Sequence, residues 1–230
     1  MTNTLHRRGT IEDLKNEYVM LMISSSKANK TGSAPLKQEF LEIVTKHNHA
    51  NMGSMGQSAM YRCDPYPARR ETYLDEHPAA AADVIRGITE QSVATALLTD
   101  PTSVEKVVEE VKKRDFGQSV CISGLIDVIE DICRRKGIKP HAVEHALRNK
   151  DGSVFGRTEN LPQETILEMN SMCGHGMVAF NLIKKVMDWV KLGKLSPEEG
   201  SKYLAKACLC GAFNVLRAQS ILERVRHTGP

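Results

Sequence analysis

Apolar residues recur at helical spacing along most of the chain, and this pattern predicts its secondary structure. In the first such segment Ile11, Leu14, Tyr18 and Leu21 follow one another three or four residues apart, and Thr10 is placed to cap a helix. The segment is therefore predicted to form a helix of about four turns. Similar patterns predict helices over 36–48, 82–98 and 101–115.

The last third of the chain has the clearest helical pattern. Pro162 and Pro197 stand where the first turn of a helix accepts proline, and Ser196 precedes Pro197 as a cap. The connections between these helices are short, which favours antiparallel neighbours. The predicted helices cover 161–172, 177–193, 196–207 and 212–225.

Two segments depart from the helical pattern. The run GQSVCISGLI, 117–126, is short, rich in β-branched residues and contains two glycines, which favours a buried strand. The same residues also suit the start of the helix predicted after them, and periodicity alone leaves both interpretations open. Between 49 and 78 the chain contains several glycines and prolines, so a long irregular loop is predicted there.

Together these elements predict a mainly α fold, an α-helical array with one or two short β-strands around 118–123. The chain divides into an N-terminal helical region, 1–100, which contains the irregular loop 49–78, and a C-terminal helical region, 101–230, which carries the cysteine and histidine turns. The two regions are expected to form one compact unit.

Charge and composition narrow the expected partners. The 31 basic and 28 acidic residues are interspersed, the net charge is +3, and 5% of residues are aromatic, so a nucleic-acid partner is not predicted. The polar N-terminus is unlike a signal peptide, and no apolar run reaches the roughly 18 residues that a membrane span needs. We therefore expect a cytoplasmic protein with a small-molecule substrate and no membrane partner. A homo-oligomer is compatible with the sequence.

The cysteines are concentrated in a turn that occurs twice. Cys173 opens the sequence CGHG, Cys208 opens CLCG, which also contains Cys210, and an Ala-Phe-Asn step and a predicted helix follow each turn. Helix N-termini stabilise thiolates. The two helices between the turns have lengths that return the second turn to the first. The sequence therefore predicts that the three cysteines converge, together with His175.

Three thiolates and an imidazole favour a soft metal over a hard cation. The leading hypothesis is a 4Fe–4S cluster bound by Cys173, Cys208 and Cys210, with His175 as fourth ligand or catalytic proton-transfer group. An iron open to substrate would act as a Lewis acid, which favours a hydro-lyase or a sulfur-transfer enzyme. The same residues suit zinc, which would be structural in a non-enzymatic helical interaction protein. Without metal, the turns would be helix connections with small buried cysteines.

The segment HAVEH, 141–145, has the spacing H-x-x-E-H and resembles the motif of the inverzincin zinc peptidases. On a helix this spacing places His141 and His145 on one face with Glu144 beside them. The resemblance implies a zinc site at the two imidazoles. His141 and His145 are also catalytic candidates beside the cysteine turns, and Cys63, within the loop 49–78, is a spare ligand.

The segment MCGHG, 172–176, resembles the cysteine motif of the proline racemase family. In that family a cysteine at a helix N-terminus exchanges a proton at the α-carbon of the substrate, and a second cysteine works from the opposite face. The resemblance implies a two-thiol racemase or epimerase in which Cys173 is the first thiol. Cys208 or Cys210 would then be the second.

Overall fold

A computed structural model describes residues 7–54, 81–143, 158–208 and 210–228. In these ranges nine α-helices accompany a four-stranded antiparallel sheet, so the fold is mixed α and β and the prediction of a mainly α array is wrong. The strands are β1 (Tyr18–Ile23), β2 (His49–Ser54), β3 (Ala94–Leu98) and β4 (Ser119–Ser123). The helices of the first half are α1 (Ile11–Leu14), α2 (Ser33–Thr45), α3 (Ala81–Arg86), α4 (Pro101–Arg114) and α5 (Ile126–Arg135). After a 3-10 turn (Thr158–Asn160) come α6 (Glu164–Ser171), α7 (Phe180–Lys191), α8 (Pro197–Ala205) and α9 (Val215–His227).

The sheet has the strand order β2-β3-β1-β4, and each pair of neighbours is antiparallel. It follows that β1 and β2 run in one direction, with α2 between them in the chain, and that β3 and β4 run in the other, with α4 between them. This order and these directions are those of the split βαβ, or ferredoxin-like, arrangement. Both edges of the sheet, β2 and β4, are the second strands of such units.

Helices cover both faces of the sheet, so β1 is buried throughout. Tyr18, Met20 and Met22 pack with α2 and α4, whereas Val19 and Leu21 pack with the C-terminal helices. A strand with two apolar faces has a continuous apolar sequence instead of alternation. That run also matches helical spacing, and for this reason the prediction of a four-turn helix is wrong: α1 is a single turn and β1 follows it.

Two other predictions also missed a strand. The helix predicted over 82–98 ends at Arg86, and the buried residues at its other end form β3. The irregular loop predicted over 49–78 begins with β2, and its remaining residues lie outside the described ranges. In both cases the short strand shows no alternation of apolar and polar residues by which it could be recognised from the sequence.

Other predictions for the first two thirds of the chain are confirmed. The helices over 36–48 and 101–115 correspond to α2 and α4, and the short strand around 118–123 is β4, with α5 directly after it. Asp100 caps α4, since its side chain accepts a hydrogen bond from the Ser103 amide.

The four predicted C-terminal helices are present as α6 to α9 and form the layer on one face of the sheet. Ser196 and Glu199 cap α8 reciprocally in a capping box. At Gly200, an added Cβ would lie 3.0–3.2 Å from Leu222, Val186 and Val190, so α7, α8 and α9 approach closely at this point. The turns that carry the cysteines lie before α7 and before α9.

Candidate functional site

The two cysteine turns share a backbone hydrogen bond and a glycine with a positive φ angle. The Gly176 amide donates to the Cys173 carbonyl at 3.0 Å, and the Gly211 amide donates to the Cys208 carbonyl at 3.4 Å. Both glycines have positive φ angles, 65° and 72°, which L-residues rarely adopt. The resemblance between CGHG and CLCG therefore corresponds to one turn built twice.

The helices α7 and α8 run out and back, and they bring the second turn to the first. The sulfur atoms of Cys208 and Cys210 are 3.7 Å apart, and the Cys210 sulfur is 3.8 Å from Nδ1 of His175. The thiols of Cys173 and Cys208 also interact. We call Cys173, His175, Cys208 and Cys210 the Cys/His cluster.

The cluster is closed on its sulfur side and open at its imidazole. Cys173, Cys208 and Cys210 are 2%, 7% and 3% exposed, whereas His175 is exposed. Two cavities of about 360 and 220 Å³ lie elsewhere, between α1 and α9. A small ion can occupy such a cluster, but a substrate needs more room than these sulfur atoms leave between them.

The three thiols differ in acidity because of their neighbours. The Cys208 thiol lowers the pKa of Cys210, with help from the Ala212 amide and against the effect of burial. The Cys173 thiol lowers the pKa of Cys208, but Cys210 and burial outweigh it and raise that pKa to about 11. The Cys208 thiol and burial raise the pKa of Cys173. Of these three thiols, Cys210 is therefore the one that ionises most readily.

The second turn lies against β2, an edge strand of the described sheet. A Cβ added to Gly53 would be 2.6 Å from the carbonyl carbon and oxygen of Cys210, and one added to Gly211 would be 2.3 Å from those of Met52. The Asn51 side chain donates to the Phe213 carbonyl at 3.0 Å. The turn thus covers part of the edge strand β2, and its position depends on backbone contact between two glycine-bearing segments.

A buried charged network lies beneath the second turn. The guanidinium of Arg7 donates to the Ala212 carbonyl and lies 2.7 Å from the Glu17 carboxylate. That carboxylate, in a residue 1% exposed, also accepts from Asn214 at 2.9 Å and from Arg217 at 3.2 Å. Asn214 in turn caps α9. This network could not be predicted from the sequence, since Asn214 and Arg217 lie about 200 residues from Glu17 and only the Asn214–Arg217 capping spacing is a local signal.

Of the remaining candidate residues, only His141 lies in the described ranges. His141 is exposed in the segment after α5, and His145 and Cys63 lie outside the described residues. Within the described part of the chain, no group of three or more His, Cys, Asp or Glu side chains is arranged to hold a metal ion as the side chains stand. The Cys/His cluster therefore contains close pairs of donors but not a completed coordination shell.

No known protein family, characterised protein or solved structure shows significant similarity to the chain. None of the helices in the described ranges combines the length and apolar character required to cross a membrane. The function has to be argued from the geometry of the cluster and of the surface.

Glu168 of α6, at the edge of the charged network, makes the stability of the fold sensitive to pH. Burial raises the pKa of its carboxyl above the ordinary value of 4.5, although Arg217, 3.5 Å away, lowers it. Folding thus favours the protonated form, and stability is lost as the pH rises through the raised pKa. Glu168→Gln should therefore gain stability relative to the unmodified protein as the pH increases above 4.5.

The measurement is a series of urea denaturations between pH 4 and pH 8, with Glu42→Gln, at an exposed position of α2, as the matched control. The difference in free energy of unfolding between Glu168→Gln and the unmodified protein should grow with pH and then level off. A difference that shrinks with pH would mean that the attraction of Arg217 outweighs burial.

Proposed function

We propose that this chain is a zinc-binding protein and that Cys173, His175, Cys208 and Cys210 are the four ligands. The observation that carries the proposal is the spacing of the donors around Cys210. Tetrahedral zinc with bonds of about 2.3 Å to sulfur and about 2.0 Å to nitrogen separates two sulfurs by about 3.8 Å and a sulfur from a nitrogen by about 3.5 Å. The corresponding distances are 3.7 and 3.8 Å.

The same spacing favours one ion over the iron–sulfur cluster of the leading sequence hypothesis. In a cubane each thiolate binds a different iron atom and points away from the other corners, so the ligating sulfurs lie farther apart than two ligands of one ion. Cys208 and Cys210 are in contact. Their separation supports a shared metal atom.

Completion of the shell requires two side chains to turn. Cys173 already interacts with Cys208, and rotation about its Cα–Cβ bond moves its sulfur without displacing the backbone. His175 is exposed, so its imidazole can swing inward over the sulfurs.

Four protein ligands leave no open position on tetrahedral zinc, which is the arrangement of structural rather than catalytic sites. The ion would join the turn before α7 to the turn before α9, and through Gly53 and Gly211 it would fasten the C-terminal helices to the edge of the sheet. The two-thiol racemase gains no support from this geometry, since its thiols must flank a substrate and the Cys173 and Cys208 thiols interact with each other directly.

The test is elemental analysis of protein purified with and without added zinc, together with an assay for acid-labile sulfide and an absorption spectrum. We expect about one zinc per chain and no sulfide. Cys208→Ser and Cys210→Ser should each lose the metal, because both remove a thiolate ligand. Cys133→Ser, at a buried cysteine of α5 outside the cluster, is the matched control and should retain it.

Two results would contradict the proposal. Iron with sulfide would establish a cluster in place of a single ion. A chain that takes up no zinc, and whose thermal stability is unchanged by a chelator, would have no metal site at these residues.

A further inference from the structure

The net positive charge of the chain is carried by one helical hairpin. Residues 180–208, which comprise α7, α8, their connection and the three residues after α8, contain six lysines and three acidic residues. The rest of the chain carries 25 basic and 25 acidic residues, so the hairpin accounts for the net charge of +3. Along the sequence these lysines are interspersed with acidic residues, and folding collects them on one pair of neighbouring helices.

The hairpin also carries an unbroken series of cation and aromatic contacts. Nζ of Lys185 lies 4.9 Å from the centre of the Trp189 ring, and the Trp189 ring meets the Tyr203 ring edge to face at 5.8 Å. Nζ of Lys206 lies 6.0 Å from the centre of the Tyr203 ring. We call these four residues, which span both helices, the basic aromatic face.

This face is accessible but offers little aliphatic area. Tyr203 is 37% exposed and Trp189 is half-buried, so both rings present part of their surface to solvent. Leu192, 68% exposed, is the one strongly exposed aliphatic side chain of the hairpin, every residue of which the structure describes. A membrane surface or the apolar core of a protein partner needs a broader hydrophobic surface than this.

We propose that the basic aromatic face binds single-stranded nucleic acid. Lysines at its two ends attract the phosphate backbone, and aromatic rings between them provide surfaces on which unpaired bases stack. A duplex keeps its bases stacked internally and cannot use the rings, so a single strand is the favoured ligand. The proposal is independent of the zinc site.

The sole tryptophan of the chain, Trp189, reports directly on this face. Titration with twelve-nucleotide oligo(dT) and oligo(U) should quench its fluorescence, whereas a duplex of the same length should bind more weakly. The affinity of each variant is then measured by the fluorescence anisotropy of a labelled oligonucleotide. Lys185→Gln with Lys206→Gln should weaken binding at least about fivefold and lower the slope of log affinity against log salt by about 1.4, the value for two lost phosphate contacts to a single strand.

Two further variants separate this surface from general charge. Lys27→Gln with Lys113→Gln removes the same charge from exposed positions outside the hairpin and should leave affinity and slope nearly unchanged. Tyr203→Leu should weaken binding about tenfold with the slope unaltered, because it removes stacking but no charge. Equal losses in the two double variants, binding only to anionic phospholipid vesicles, or no binding to any oligonucleotide would each overturn the proposal.

Discussion

Glu17→Ala is expected to lower the free energy of unfolding by about 3–5 kcal/mol, as the removal of one member of a buried ion pair does. Glu17 is 1% exposed and lies between two arginines, Arg7 and Arg217, whose side chains are 4% and 5% exposed. Without the carboxylate, the two buried cations would keep only Glu168, 3.5 Å from Arg217, as an acidic neighbour among the described residues. The loss is larger than a missing hydrogen bond because desolvation of the arginines is no longer offset.

Equilibrium denaturation in urea measures this loss, and Glu17→Gln is a second variant in case the alanine protein does not fold. The glutamine retains the size of the side chain and one oxygen acceptor, so an intermediate loss is expected. Glu39→Ala is the matched control, since Glu39 forms a bidentate but exposed pair with Arg114 and should matter far less. Equal effects at Glu17 and Glu39 would show that the buried network does not contribute as inferred.

The network also supports the candidate site. Arg7 holds the Ala212 carbonyl, two residues after Cys210, and Asn214 joins the Glu17 carboxylate to the start of α9. Glu17→Ala should therefore make Cys208 and Cys210 more reactive toward thiol reagents. In this fold the position of the cysteines depends on a residue that precedes β1.

The helices could be predicted from the sequence wherever one face is buried and the other is solvated. In α2, α4 and α8 the polar face preserves a helical period, and proline or serine marks the first turn. β1 has no solvated face, because helices lie on both sides of the sheet, and its sequence YVMLMI contains no alternation. A sequence pattern reports burial, and it distinguishes strand from helix only where burial is one-sided.

The convergence of Cys173, Cys208, Cys210 and His175 could be anticipated because its information is local. Two short turns and the lengths of the helices between them are sufficient to bring the residues together. The Glu17 network and the basic aromatic face depend instead on tertiary packing. Lys185 and Lys206 are separated by 21 positions with acidic residues between them, and only the return of α8 along α7 places their aromatic partners in contact.

Gly53→Ala is expected to displace the second cysteine turn, and its effect on the site should exceed its effect on stability. The added Cβ would lie 2.6 Å from backbone atoms of Cys210, which cannot yield as a flexible side chain can. Overpacking of this kind costs about 1–3 kcal/mol. Since Cys210 moves with its own carbonyl, the spacing to Cys208 and His175 should be lost as well. Gly53→Ala should therefore bind less zinc and expose Cys208 and Cys210 to labelling.

Gly32→Ala separates this local displacement from a general loss of stability. Gly32 has a φ of 74° and open space around it, so alanine there costs about 1–2 kcal/mol through backbone strain alone and touches nothing near the cysteines. Thiol labelling mapped by mass spectrometry, with zinc content measured in parallel, distinguishes the two variants. Faster labelling of Cys208 and Cys210 in Gly53→Ala alone would establish that the strand edge positions the turn. Equal labelling in both variants would assign the change to stability, and no change in either would mean that the turn does not depend on close contact with β2.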